Sequence, residues 1–358
     1  MGEEPYFHVP AGEVAGVKII DNTTRISKLA SSFTLKPPVE GFDYFMNSPS
    51  WTFLIESPSG KKALFDLGVP KDWADMSPLI TGMIKQYDWD INVEKDMADV
   101  LKEHGVLLDD IGSIIWSHFH WDHIGDCSTF PSSTDLVVGP GFKVALLPGY
   151  PAKEDSPVRE KDFNRGRKVV EVDFETQQTV KLGDMEAIDF FGDGSFYLLD
   201  TPGHAIGHLA GLARTSKNPD TFIFMGGDLC HHAGEMRPSK YLPIPAEILP
   251  HPWIQHAQKP CPGALLENLQ KSRGRAVDEP IYDPVMGHSM EETIETIKKA
   301  QEADGKDNIF FIFAHDDSLY GEVDLFPLSA NQWKQKGWRQ KLMWKFLKDF
   351  KQALELQQ

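Results

Sequence analysis

The sequence predicts an α/β protein organised as one domain, and three observations carry that reading. Apolar runs rich in β-branched and aromatic residues recur at 51–56 (WTFLIE), 62–67 (KALFDL), 111–117 (IGSIIWS), 196–200 (FYLLD), 221–225 (TFIFM) and 308–314 (NIFFIFA). Each has the length and composition of a buried strand. Other segments carry apolar residues at helical spacing. The last four strand-like runs are each followed within a few residues by a His or Asp that can hold a metal, a pattern that neither period requires.

Taken in order, 51–56 and 62–67 read as paired strands joined by the turn residues Ser57, Pro58, Ser59 and Gly60. Residues 92–104 place Val93, Met97, Val100 and Leu101 on one face and meet Gly105, which predicts a helix. Ser289 opens another, with Glu292 in the capping-box position and Met290, Ile294 and Ile297 as its apolar stripe. A terminal helix is expected over about 331–354, because Trp338, Leu342, Phe346 and Phe350 repeat at helical spacing. Its basic residues (Lys334, Lys336, Arg339, Lys341, Lys345, Lys348 and Lys351) are then a solvated face rather than a binding surface.

The domain is expected to span 1–358, with an N-terminal extension over about 1–40 and loop insertions at about 69–91 and 238–285. The first insertion holds Trp73, Met76, Leu79, Met83, Tyr87 and Trp89; the stretch 238–262 holds seven prolines together with Tyr241, His251 and Trp253. Proline at that density stiffens a loop without regular structure. Such loops around strand ends form walls or lids, so both are expected to build an apolar, aromatic pocket. The alternative for any one aromatic is cover for the sheet or for a dimer interface, which leaves a homodimer open.

The densest chemistry is at 118–123, His118-Phe119-His120-Trp121-Asp122-His123, an HxHxDH cluster. His118 and His120 alternate and can point the same way from the end of 111–117, while Asp122 and His123 fall on the following turn before Gly125. Imidazole and carboxylate are donors for a borderline metal such as Zn2+. Further donors follow the later strands: His204 in TPGH, Asp228 in GGD, and His315 in AHD.

This series of HxHxDH, TPGH, GD and a late strand-end His resembles the metallo-β-lactamase-fold hydrolases over about 51–317. The extended SHFHWDHIGD context is most similar to dinuclear N-acyl homoserine lactonases and to fungal lactamase and lactonase relatives. The resemblance implies a four-layer αβ/βα sandwich. It also implies one metal held by His118, His120 and His204, a second by Asp122, His123 and His315, and Asp228 shared between them. Two Zn2+ are the implied cofactors, with Fe, Mn or Co open because imidazole suits those ions as well. A water between two such ions loses a proton near neutral pH and can attack a carbonyl. The expected activity is therefore opening of a small cyclic ester or cyclic amide, in detoxification or signal degradation, with Asp122 and Asp228 as catalytic carboxylates. Asp122 is the candidate for orienting the attacking oxygen and passing its proton on.

One departure bears on the substrate. The lactonases resembled carry an Asp-x-x-Tyr arrangement, whereas Asp228 here precedes Leu229, Cys230, His231 and His232. His231 is the candidate for the vacant Tyr role, His232 the weaker one. Two other readings stay open: a hydroxyacylglutathione-type thioesterase, and a non-catalytic protein that keeps metals for stability.

Composition narrows the partners. A formal charge of −17, from 36 basic and 53 acidic residues, argues against a nucleic-acid interface and also disfavours an anionic glutathione thioester. Cys127, Cys230 and Cys261 are odd in number and lack CxxC spacing, which suits small buried residues in a reduced cytoplasmic setting. No uncharged run reaches the ~18 apolar residues of a membrane span, and the first residues, MGEEPYFHVP, carry no signal-peptide pattern. A small-molecule substrate is the expected partner.

Overall fold

A computed structural model describes residues 2–164 and 166–357. Met1, Arg165 and Gln358, which the expected domain bounds include, lie outside the described residues.

Two six-stranded sheets form the centre of the molecule. The first contains β1 (Gly16–Ile20), β2 (Thr52–Glu56), β3 (Lys62–Phe65), β4 (Ile111–Ile115), β5 (Asp135–Val138) and β6 (Val169–Glu171), with spatial order equal to chain order. β1 to β3 pair antiparallel, whereas β3 to β6 pair parallel. The second contains β7 (Val180–Leu182), β8 (Met185–Asp189), β9 (Phe196–Asp200), β10 (Leu209–Ser216), β11 (Thr221–Met225) and β12 (Ile309–Ile312), again in chain order. All its pairs are antiparallel except β11 with β12.

Side-chain alternation explains why the sheets stack face to face. Val17, Phe53, Ile55, Phe65 and Ile115 point from the first sheet into the same buried cluster as Phe196, Leu198, Ile223, Met225 and Ile312 from the second. Their neighbours one residue away point outward. Leu54, Leu64 and Ile114 pack under α1 (Pro78–Gln86) and α2 (Met97–Glu103), through Ile80, Ile84, Met97 and Leu101. On the far side Leu199, Leu212, Phe224 and Phe311 pack under α3 (Gly263–Ser272) and α4 (Met290–Gly305). The result is the four-layer αβ/βα sandwich. Strands buried on both faces explain why their sequences are continuous apolar runs rather than alternating ones.

Several local expectations change. The helix expected over 92–104 occupies only Met97–Glu103, because Asn92 belongs to a short strand, Asp90–Asn92, paired with Arg25–Ser27. Residues 69–91 are an ordered segment built on α1 rather than a plain loop. The stretch 238–285 contains α3 and a bridge between Glu247–Ile248 and Cys261–Pro262. The N-terminal extension is partly structural, since β1 is an edge strand of the first sheet. In α4, Ser289 caps the amide of Glu292, but Ile294 is exposed, and Thr293, Thr296, Ile297 and Ala300 form the buried face.

The terminal helix over 331–354 breaks into Trp338–Leu342, a 3-10 turn at Lys345–Phe350, and Lys351–Glu355. Its apolar repeat is buried as expected at Trp338, Leu342, Phe346 and Phe350. The basic face differs from a purely solvated one: Lys334 pairs with Asp307, Lys345 with Glu322 and Lys348 with Asp317. Curving over both the core and these acidic loops favours short pieces over one straight rod.

Candidate metal centre

Five strand ends converge on one edge of the sandwich. Ser117 and His118 follow β4, Asp66 follows β3, His204 follows β9, Asp228 follows β11, and His315 follows β12. Glycine permits two of these turns. Gly227 has φ +54°, and a Cβ there would stand 2.8 Å from the Ser117 Cβ and 3.0 Å from the His208 Nε2. Gly203 has φ +127°, and the Thr293 backbone nitrogen occupies the space a Cβ there would need. The residue before each ligand is therefore small because neighbouring elements pack directly against it.

The converging side chains make two groups of donors: His118, His120, His204 and Asp228, and Asp122, His123, Asp228 and His315. Within each group the ligand atoms lie within 4.8 Å of one another, and Asp228 belongs to both. His204 Nε2 is 3.2 Å from His118 Nε2 and 2.9 Å from His120 Nδ1. Asp228 Oδ1 lies 3.1 Å from His123 Nε2 and 3.2 Å from His315 Nε2, and Asp122 Oδ2 lies 3.5 Å from the same His315 nitrogen. All seven residues are brought together.

Electrostatics fit a cation at both positions. Burial and then the neighbouring imidazoles push His118 and His204 well below the ordinary histidine range, while burial pulls His120 down to about 4. These rings are neutral at pH 7 and offer lone pairs to a common point. In the second group burial opposes charge, but Asp228 with Asp66 and Asp122 holds His123 well above its usual range, and Asp228 with Asp122 holds His315 up to about 9. The carboxylates demand positive charge, and a divalent ion would displace those protons. His123 Nε2, His204 Nδ1 and Asp228 Oδ1 are buried without an aligned hydrogen-bond partner, as expected of metal donors and their rings.

Outer contacts fix the ligands. His123 Nδ1 is 2.8 Å from Asp66 Oδ2, and Asp66 Oδ1 accepts the Ser117 amide at 2.6 Å. His315 Nδ1 meets the Pro49 carbonyl at 2.7 Å, which leaves its Nε2 lone pair for a metal. His208 Nε2 accepts the Asp228 amide at 3.1 Å, and burial depresses that ring to about 3, keeping it neutral. Sequence reading missed Asp66, Ser117 and His208. The signals available were a lone acid inside the apolar run ALFDL and a second His four positions after His204.

His231 lies beside the donor groups, with Nε2 3.6 Å from Asp228 Oδ2, Nδ1 3.8 Å from Glu235 Oε2, and neither ring nitrogen hydrogen-bonded among the described residues. The Glu235 carboxylate accepts its amide at 2.6 Å and so holds the turn. His232 turns away among Phe42, Tyr282, Phe346 and Phe350, accepting the Gly234 amide at Nδ1. Cys127, Cys230 and Cys261 are buried with free thiols.

A cavity of about 300 Å³ opens above the metals. Its wall comes from Leu79, Ile80, Met83 and Trp89 of the 69–91 segment, together with Phe33 and Trp121. Trp89 stacks on Trp121 with centroids 6.0 Å apart, and Phe33 meets Trp89 edge-on. Only one of the two decorated segments forms this wall: Tyr241, His251 and Trp253 do not line it.

Two sheets that present a two-centre His/Asp ligand set at their strand ends define a metal-dependent hydrolase. The chain belongs to the metallo-beta-lactamase superfamily, whose family model matches residues 47–214. It is similar to gamma-lactamase FDB1 of Fusarium pseudograminearum, 43% identical over 93% of this chain and 82% of that protein. It is also similar to metallo-hydrolase mfmC of Annulohypoxylon moriforme, 42% identical over 94% of this chain and 88% of that one. Among solved structures, a quorum-quenching N-acyl homoserine lactone hydrolase shares the fold with a TM-score of 0.55 and 18% identity, over 92% of this chain and all of that one.

Proposed function

We propose that this protein opens a small, uncharged lactone or γ-lactam ring with two zinc ions. The observation that carries the reading is a pair of four-donor groups sharing Asp228 at the floor of an apolar cavity. When bound, the metals supply Lewis acidity that activates water and polarises the carbonyl. His118, His120 and His204 would hold one ion, Asp122, His123 and His315 the other, and Asp228, common to both groups, would be shared. Asp122, a member of the second group, also orients the attacking water. His231, unpartnered and facing Asp228, donates a hydrogen bond or proton to the leaving heteroatom. The aromatic wall holds the rest of the ring system and excludes bulk water.

Water adds across the ring bond with its oxygen on the acyl carbon and a proton on the leaving nitrogen or oxygen. No Ser or Cys nucleophile is invoked. Among the described residues the cavity lining contains no Lys or Arg, which argues against the glutathione thioester alternative, since that anionic substrate needs a counter-charge. A purely structural metal role fits poorly with ligands that line an open cavity, because structural sites are closed by protein. Detoxification of a small cyclic amide in a reduced, cytoplasmic setting is the proposed context, and three buried free thiols support that setting. No helix is long and apolar enough to cross a membrane among the described residues.

The test is a panel of lactones, γ-lactams and thioesters with the zinc-loaded protein, run before and after chelation. Ring opening that stops with chelator and returns with Zn2+ is expected. Turnover restricted to thioesters, or turnover indifferent to chelator, would refute the reading.

A further inference from the structure

Two of the contacts that support the metal centre from outside each reach a single ligand: Asp66 holds the His123 ring, and the Pro49 carbonyl holds the His315 ring. His208 is different, because one ring bonds to two of the turns that carry ligands. The Asp228 amide donates to its Nε2 at 3.1 Å, and its Nδ1 stands 3.0 Å from the Thr201 carbonyl. A ring nitrogen that accepts carries no proton, so Nδ1 is the donor to Thr201 and the imidazole is neutral. Thr201 opens the turn that holds His204, and its amide donates back to the His208 carbonyl at 3.3 Å. The next amide, that of Leu209, reaches the Ser117 carbonyl at 2.7 Å, beside His118.

Satisfying a buried amide does not by itself explain a histidine at this place. The backbone serves the neighbouring groups: the Gly226 amide donates to Ile312, the Gly227 carbonyl accepts from Ala314, and the Leu229 amide closes on Gly226. The Asp228 amide is left for a side chain. A carboxylate could accept it but would set a second negative charge against Asp228, whereas a neutral imidazole accepts without adding charge. His208 is fully buried, with its ring centroid 5.3 Å from that of His118 and 5.8 Å from that of His204, yet it belongs to neither donor group. Its Nε2 is engaged by the amide instead. Gly227 permits this approach, since a Cβ there would stand 3.0 Å from that nitrogen.

We propose that His208 is a positioning residue that sets the Asp228 carboxylate against the His204 turn and thereby links the occupancy of the two metal sites. The inference rests on the two-metal reading and deepens it. Asp228 belongs to both donor groups, so a displacement of its main chain moves a donor of each. Asp66, by contrast, steadies only His123, a donor of the second group. Loss of the His208 contact should therefore weaken both sites, and loss of Asp66 only one.

The test is a competition titration of the metal-free protein with Zn2+ and a chelating dye, which reads the two stepwise affinities without any substrate. His208→Asn keeps a donor near Thr201 but falls short of the Asp228 amide, and both affinities should drop about 10- to 100-fold. His208→Gln extends a carboxamide oxygen to that amide and should recover most of the loss. Both replacements are polar and smaller than histidine, so a role confined to stability would move them alike, as thermal melts of the metal-free variants would show. Should His208→Asn not fold, His208→Leu fills the buried space without either hydrogen bond and carries the same expected loss. Unchanged affinities, equal losses in the Asn and Gln variants, or a loss confined to one site would overturn the proposal. A parent protein that binds fewer than two ions would overturn the two-metal reading together with it, whereas a dinuclear parent with unaffected variants would overturn the role of His208 alone.

Discussion

The metal centre and the aromatic wall face each other across one cavity, yet they are built on different principles. The centre is assembled from seven side chains on four separated strand ends, several of them tied by buried outer contacts such as Asp66 to His123 and His208 to the Asp228 amide. The wall comes mainly from one contiguous segment, 69–91, which meets Phe33 and Trp121 through ring stacking and apolar contact. Directional bonds to a shared ion tolerate little displacement, whereas apolar packing tolerates substitution of similar volume. On the proposed function, the centre would decide whether chemistry occurs and the wall on what.

The sharpest way to break this division is Asp228→Ala. Losing the ligand common to both groups should cut turnover about 10³-fold or more and lower the metal content below two per chain, read by elemental analysis. Full activity with both metals retained would end the bridging assignment. His231→Ala should lower kcat about 100-fold with metal content intact, the usual worth of a positioned proton donor. If the variant matches the parent, His231 is structural. Asp66→Ala leaves all seven donors in place but frees the His123 ring, so metal affinity should fall about 10- to 100-fold in a competition titration.

On the other side of the cavity, Trp89→Ala should raise KM about tenfold for bulky cyclic substrates and leave metal content unchanged. A drop in bound metal would show that wall and centre are coupled.

The smallest effect belongs to a site outside both regions. Burial, with a lesser contribution from Glu292 and Glu186 against the opposing Lys299, holds the Asp200 carboxyl up to about 6. Its unfolded value is near 3.9. The stabilising preference for its neutral form is fully present below pH ~4 and is lost as pH rises through ~6. Asp200→Asn should thus stabilise the protein at pH 8 by about 1 kcal/mol or less, with the gain fading below pH 5 in thermal melts, and activity unchanged. A gain of equal size at both pH values would remove ionisation as its cause.

How much was legible in sequence follows the same division. The HxHxDH loop is local, so its donors could be read from spacing; His204, Asp228 and His315 were found because each follows a recognisable strand. Asp66 was hidden inside what reads as the strand 62–67, although β3 stops at Phe65 and Asp66 turns with φ +59°. The terminal segment shows the opposite failure. Its apolar spacing was real, but the left-handed Gly337 (φ +68°) and the ion pairs to acidic loops bend it into short helical pieces.

By itself the sequence determined the strands, the donor types and their order along the chain, because hydrophobic period and metal chemistry are written in neighbouring residues. Which two donor groups those residues form was decided only by the stacking of the sheets, which brings His204, Asp228 and His315 to the 118–123 loop across gaps that no local pattern spans. The same folding set the apolar cavity, with Trp89 and Trp121 in its wall, directly against that centre. The far end of the chain returns to the second sheet's outer layer because Phe346 and Phe350 are buried there.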